Sequence, residues 1–161
     1  MKITCDKLAD DLYDLGLDVL TLHSDLEQKQ RDETIILFSN KSYPILIATD
    51  VASRGLHIDD VDLVINYDLS LDEKIHTHRI GRTARAGKGG LVISLYTQND
   101  FDRVEIIKET FSDIEDKSID SVEDDLSYKI DSELRTIFIN GGKKQKLREI
   151  GRASCRERVS S

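Results

Sequence analysis

The chain has 161 residues, 39% hydrophobic and 34% charged, a balance that fits one soluble α/β-sized domain and excludes a disordered tail. It contains no apolar run of about 18 residues, and its opening MKITCDKLADDL lacks the apolar stretch of a secretory signal, so no membrane partner and a cytoplasmic location are expected. The net charge of −8 argues on average against nucleic acid, but its distribution reverses that reading. From Lys74 to Asn99 there is no acidic residue, while Lys74, Arg79, Arg82, Arg85 and Lys88 are basic. An acidic block follows from Asp100 to Glu133, and the tail from Arg135 is basic again.

Leu8, Leu12 and Leu15 at helical spacing predict a first helix over 4–15, ended by Gly16. Residues 18–22 read as a strand and 27–38 as a helix with Ile35, Ile36 and Phe38 on its buried side. Asn40 to Pro44 is turn chemistry. Ile45–Thr49, Val61–Tyr67 and Gly90–Tyr96 are continuous apolar runs of the kind expected for strands buried on both faces. Helices are expected over 72–80 and 99–111. The alternation of strands and helices predicts an α/β fold, open and doubly wound around a mainly parallel sheet.

Residues 112–131 are acidic and weakly periodic and read as a linker or covering loop, and 135–140 as a strand that begins something new. The last residues, 151–161, carry no periodicity and resemble translated vector sequence, so they are left out of the fold. Cys5, Cys155, His23, His57, His76 and His78 fall in no metal-ligand spacing, so neither a metal site nor a disulfide is expected.

Two segments carry chemistry. In His76–Gly87, Arg79, Arg82 and Arg85 recur every third residue among glycines, with no acid nearby. Clustered guanidinium groups suit a polyanion, because arginine–phosphate pairs are strong and directional. A solvated basic face paired with acids elsewhere is the competing account. In Ala48–Leu56, Thr49, Ser53 and Arg54 lie beyond a strand, at the carboxyl end where open α/β sheets bind ligands. Taken alone, that stretch reads more readily as an ordinary strand-to-helix connection with a capping Asp or Ser.

Together, Ala48–Leu56 and His78–Gly87 resemble motifs V and VI of the DEAD-box family within helicase superfamily 2, and Leu22–Arg31 resembles its H-G-D…Q-x-x-R segment. The resemblance implies a RecA-like C-terminal helicase lobe over 1–115, entered after its first strand. It implies that Arg82 and Arg85 are arginine fingers reaching a γ-phosphate on another lobe. His78 and Arg79, with Asp50, Gly55 and His57, then serve the ATP site and its coupling to RNA. Thr49, Arg54, the backbone near Gly55 and the turn His23, Ser24, Asp25 contact RNA phosphates, with Gln28 and Arg31 supporting that turn.

This sequence departs from the family in His57, where motif V usually has Asp, and in Ser24, which replaces a usual Gly. There is no G-x-x-x-x-G-K-[ST] loop and no D-E-A-D box, so the Mg²⁺–ATP platform is expected on a separate N-terminal lobe. Without that lobe and the first strand, the chain is expected to be inactive alone, less stable and prone to associate.

Beyond an acidic linker at 116–133, residues 134–150 resemble the start of the RRM-like domain of one bacterial DEAD-box subfamily. In that subfamily the domain directs the helicase to a hairpin of 23S ribosomal RNA during large-subunit assembly. The implied activity is ATP hydrolysis coupled to RNA duplex opening. A non-catalytic RNA-backbone-binding module is the alternative, and a DNA helicase lobe is disfavoured by the motif forms.

Overall fold

The computed structural model describes residues 2–53, 58, 61–70, 72–83, 89–111, 114–123, 125, 127–132 and 134–136. The chain opens on α1 (Lys2–Asp14), where Cys5 and Ala9 face inward. Gly16 ends it with φ +80°: its N–H donates to the Tyr13 carbonyl at 2.8 Å and the Leu17 N–H to the Leu12 carbonyl at 3.1 Å. These bonds close a left-handed C-terminal cap that satisfies carbonyls the helix leaves open.

Strand β1 (Val19–Leu22) leads to α2 (Gln28–Ser39), whose start is held by the Glu27 N–H donating to the Gln30 side-chain oxygen at 2.9 Å. After the turn at Lys41, which takes a left-handed φ of 57°, come β2 (Ile45–Ala48) and the single-turn α3 (Asp50–Ser53). Strand β3 (Leu63–Asn66) is followed by α4 (Glu73–Ile80). The Asp72 side chain caps α4 by accepting from the Lys74 N–H at 2.9 Å. Among the described residues, strand β4 (Leu91–Ser94) and α5 (Phe101–Thr110) complete the regular structure, apart from 3-10 turns at Gln98–Asp100 and Ile119–Ser121.

All the strands run parallel, as the alternation of elements predicts. Among the described residues, however, they form two pairs rather than one continuous ladder. In one pair Val19 stands opposite Ile45 and Leu22 opposite Ala48; in the other Leu63 stands opposite Leu91 and Asn66 opposite Ser94. The buried side chains are Cys5, Ala9, Leu22, Ala52, Ile58, Leu69 and Val104, with His23, Thr34, Asn66, His76 and Thr83 among the polar ones.

Two expectations of burial are corrected. β3 and β4 are not covered on both faces: Leu63, Ile65, Leu91 and Ile93 are 40%, 55%, 58% and 39% exposed. The paired register puts these side chains on one face, which is left partly open to solvent. On α2 the expectation fails for Ile36, which is 52% exposed, while Ile35 and Phe38 are half-buried and Thr34 is the buried residue of the helix.

Residues 134–136 have no strand structure, and the rest of the strand expected over 135–140 lies outside the described residues. Residues 114–123 are exposed, and Ser132 and Thr136 contact the α2–β2 turn, where the Ser42 and Thr136 hydroxyls stand 2.6 Å apart.

Candidate functional site

Of the residues singled out from the sequence, the turn His23–Asp25 follows β1, and Thr49 and Asp50 follow β2. The Thr49 N–H donates to the Leu22 carbonyl at 3.0 Å, which brings the start of the Ala48–Leu56 segment against the start of the Leu22–Arg31 segment. His23 follows at once, buried, with Nε2 3.1 Å from an Asp6 carboxylate oxygen of α1. In the same turn the Ser24 hydroxyl donates to Asp25 at 3.1 Å, and Asp25 pairs with Lys2. That ammonium, then the Ser24 hydroxyl, holds the exposed Asp25 carboxyl below the ordinary carboxylate range.

Gln28 and Arg31 do not both face this turn. Gln28 donates along its own helix to Asp32 at 2.7 Å, whereas Arg31 reaches across to the Ala52 carbonyl of α3 at 3.3 Å. Arg31 therefore ties α2 to the segment after β2, and the turn is held by Asp6 and Lys2 instead.

Around Arg79 the structure joins the two basic-motif regions. Arg79 donates from Nε to one oxygen of Asp50 at 2.7 Å and from Nη2 to the other at 2.8 Å. Its Nη1 donates to the Asp68 carbonyl at 2.7 Å and to the Asn66 side-chain oxygen at 3.3 Å. Such a fork geometry is available to a guanidinium and not to an ammonium. The pair spans α3 and α4, so it crosses between the two strand pairs.

Arg82 stands one turn beyond Arg79, half-buried. Its N–H donates to the Arg79 carbonyl at 3.2 Å and its own carbonyl accepts from the Val61 N–H at 3.3 Å, so its backbone is held from both sides. His78 lies exposed on α4. Its neighbour His76 is buried, with ring centroid 5.4 Å from that of Phe111 at an edge-on angle. Burial, and then the charge of Arg79, pushes the His76 imidazole below its ordinary value, so the ring is held neutral.

Arg54, Gly55, His57 and Arg85 lie outside the described residues. Among the described residues no group of three or more potential ligands is placed to hold a metal ion. An open crevice of about 470 Å³ between α1 and α2 is lined by Asp6, Asp10, Tyr13, Leu20 and Glu33, and by Leu26 and Gln30 of the Leu22–Arg31 segment. A smaller one of about 320 Å³ opens where β3 and β4 end, lined by Tyr67, Asp68, Tyr96 and Arg103.

Sequence reasoning missed Asn66 and the backbone of Asp68 as members of the cluster. The available signal was an amide closing an otherwise apolar strand, since a buried polar group needs partners.

Comparison with known proteins agrees with this geometry. The family model of the helicase conserved C-terminal domain matches residues 1–87. The chain is 41% identical over 147 residues to the ATP-dependent RNA helicase DbpA of Escherichia coli strain K12, covering 91% of this chain and 32% of that protein. It is similar in structure to the C-terminal domain of the DEAD-box protein Dbp5, with a TM-score of 0.64 at 37% identity over 71% of this chain and 68% of that one. Saccharomyces cerevisiae Dbp5 bound to RNA and ADP BeF3 matches with a TM-score of 0.63 at 37% identity, over 71% of this chain and 31% of that one. The chain thus spans about a third of the full-length proteins it resembles here. With the motif V and motif VI segments joined through Asp50 and Arg79, this chain belongs to the helicase conserved C-terminal domain family, as the RecA-like C-terminal lobe of a DEAD-box RNA helicase.

Proposed function

We propose that this lobe works as half of an enzyme that couples ATP hydrolysis to the opening of RNA duplexes. The other half is an N-terminal RecA-like lobe carrying the phosphate-binding loop and the magnesium site. The observation that carries the reading is the Asp50–Arg79 pair, which locks the segment after β2 to the helix that leads into Arg82. A phosphate-facing loop and a finger-bearing helix need a fixed relation if ligand closure is to bring both to their targets at once.

In this reading Arg82 and Arg85 stabilise charge developing on the γ-phosphoryl group, and Asp50, Gly55, His57, His78 and Arg79 link that event to RNA. Thr49, Arg54 and the turn His23–Asp25 hold RNA phosphates, with Arg31 tying α2 to the segment after β2. Phosphate contacts position a strand without reading its sequence, as duplex opening requires.

The finer assignment is ribosomal RNA of the large subunit, in the cytoplasm. It is supported by the match to DbpA along 91% of the chain, which runs past the helicase lobe, and by the basic segment beyond Arg135.

The test is ATP turnover by the two-lobe protein with and without RNA. RNA-stimulated turnover that falls about a thousandfold in Arg82→Ala supports the reading, in line with the value of arginine fingers elsewhere. Arg82→Ala with the parent's turnover overturns it. The alternative, an RNA-backbone-binding module without hydrolysis, draws on His57 standing where the family has Asp. It predicts RNA binding by the two-lobe protein with no ATP turnover.

A further inference from the structure

We infer that Asn66 is a positioning residue for the reaction proposed above, acting through Arg79 to hold the two strand pairs in one catalytic arrangement; the inference rests on that reading. β3 is apolar at Leu63, Val64 and Ile65 and then closes on an amide that is only 2% exposed. Burying an amide is unfavourable unless its hydrogen-bonding groups are met, so the choice of Asn at this depth calls for partners on both sides.

Both partners are present, and they fix which way the amide points. Nδ2 donates to the Ser94 hydroxyl at 3.0 Å, directly across the parallel register on β4. The side-chain oxygen is then turned toward α4, where it accepts from Arg79 Nη1 at 3.3 Å. Arg79 Nη1 also meets the Asp68 carbonyl, and the guanidinium's opposite edge faces both oxygens of Asp50.

A line of hydrogen bonds therefore runs from Ser94 on β4 through Asn66 on β3 and Arg79 on α4 to Asp50 on α3. It crosses between strand pairs that no backbone ladder joins among the described residues. An arginine side chain has many rotamers, and its fork is useful only if something sets the plane of the guanidinium. Asn66 and the Asp68 carbonyl set that plane from behind. Loss of the Asn66 oxygen leaves Nη1 with a single backbone partner and lets the fork turn away from Asp50.

Asn66 is buried and its side chain bonds Ser94 and Arg79, so in this inference it orients rather than reacts. A displacement of α3 against α4 on the order of 1 Å is enough to cost about a hundredfold in rate when reacting groups on both sides must align. The loss should fall on kcat, because ATP is held chiefly by the other lobe.

The experiment uses the full-length two-lobe protein, with RNA-stimulated ATP turnover measured well below each variant's melting temperature. Asn66→Leu, with the same branched heavy-atom skeleton and no hydrogen bonds, is expected to lower kcat by about tenfold to a hundredfold with KM for ATP within about twofold. Asn66→Asp keeps an acceptor toward Arg79 and is expected to return kcat to within about threefold of the parent. Asn66→Leu at the parent's kcat overturns the inference, as does Asn66→Asp falling as far as Asn66→Leu.

If Asn66→Leu does not fold, Ser94→Ala reads the same line one step back. A fall in kcat at constant KM supports the inference, and an unchanged kcat overturns it. Arg82→Ala serves as the separate check: turnover unaffected there overturns the helicase reading and this inference together. Arg82→Ala inactive beside a fully active Asn66→Leu overturns only the role of Asn66.

Discussion

Arg79 and Asp50, 29 residues apart in sequence, meet in a bidentate pair with N–O distances of 2.7 and 2.8 Å. The pair joins α4 to α3 and so ties the two parallel strand pairs to each other through side chains. Arg79 is 22% and Asp50 34% exposed, so the contact is neither a surface ion pair of negligible worth nor a fully buried one.

Arg79→Lys is expected to lower the unfolding free energy by about 1–3 kcal/mol, since an ammonium cannot serve Asp50, Asn66 and the Asp68 carbonyl together. The measurement is the urea midpoint at constant slope. A midpoint matching the parent's would show that the fork geometry contributes nothing to holding the halves.

Gly16 tests the end of α1. Its φ of +80° lies in the left-handed region, yet a Cβ there would meet nothing within 4 Å. Gly16→Ala should therefore cost about 1 kcal/mol through backbone strain alone, with no packing component. Gly16→Asn, which tolerates this region better, should recover part of that loss in the same melts.

His76 gives the fold a pH dependence of definite sign. Its folded value is depressed by burial and by Arg79 from the ordinary value of 6.5. The unfolded chain then binds the proton more readily, so the contribution is fully present above about 6.5 and is lost as pH falls through the lowered folded value. Urea midpoints should drop on acidification across that window, and His76→Leu should flatten the drop. Equal slopes in parent and variant would assign the acid sensitivity to other groups.

The partly open face of β3 and β4 predicts self-association of this chain. Ile65 and Leu91 are 55% and 58% exposed on one sheet face, a contiguous apolar surface of the kind that drives aggregation. Ile65→Lys and Leu91→Lys should each change stability by less than about 0.5 kcal/mol while shifting light scattering toward the monomer. Association undiminished by both would place the sticky surface elsewhere.

The local elements of this protein were legible in its sequence because each depends on residues close together along the chain. Helical spacing of Leu8 and Leu12 with Gly16 behind them marks α1 and its end, and the apolar runs at 45–49, 61–67 and 90–96 mark β2, β3 and β4 within one or two residues. The motif residues likewise identify the family, since they keep its order and spacing. Only the tertiary structure decided which faces are covered and which charges meet. Apolar runs do not say whether a strand has neighbours on one side or both, so the exposed face of Leu63, Ile65, Leu91 and Ile93 could not be foreseen. Nor could a row of arginines reveal that Arg79 turns inward to Asp50 and Asn66, because that contact exists only once α3, α4 and β3 are brought together by the fold.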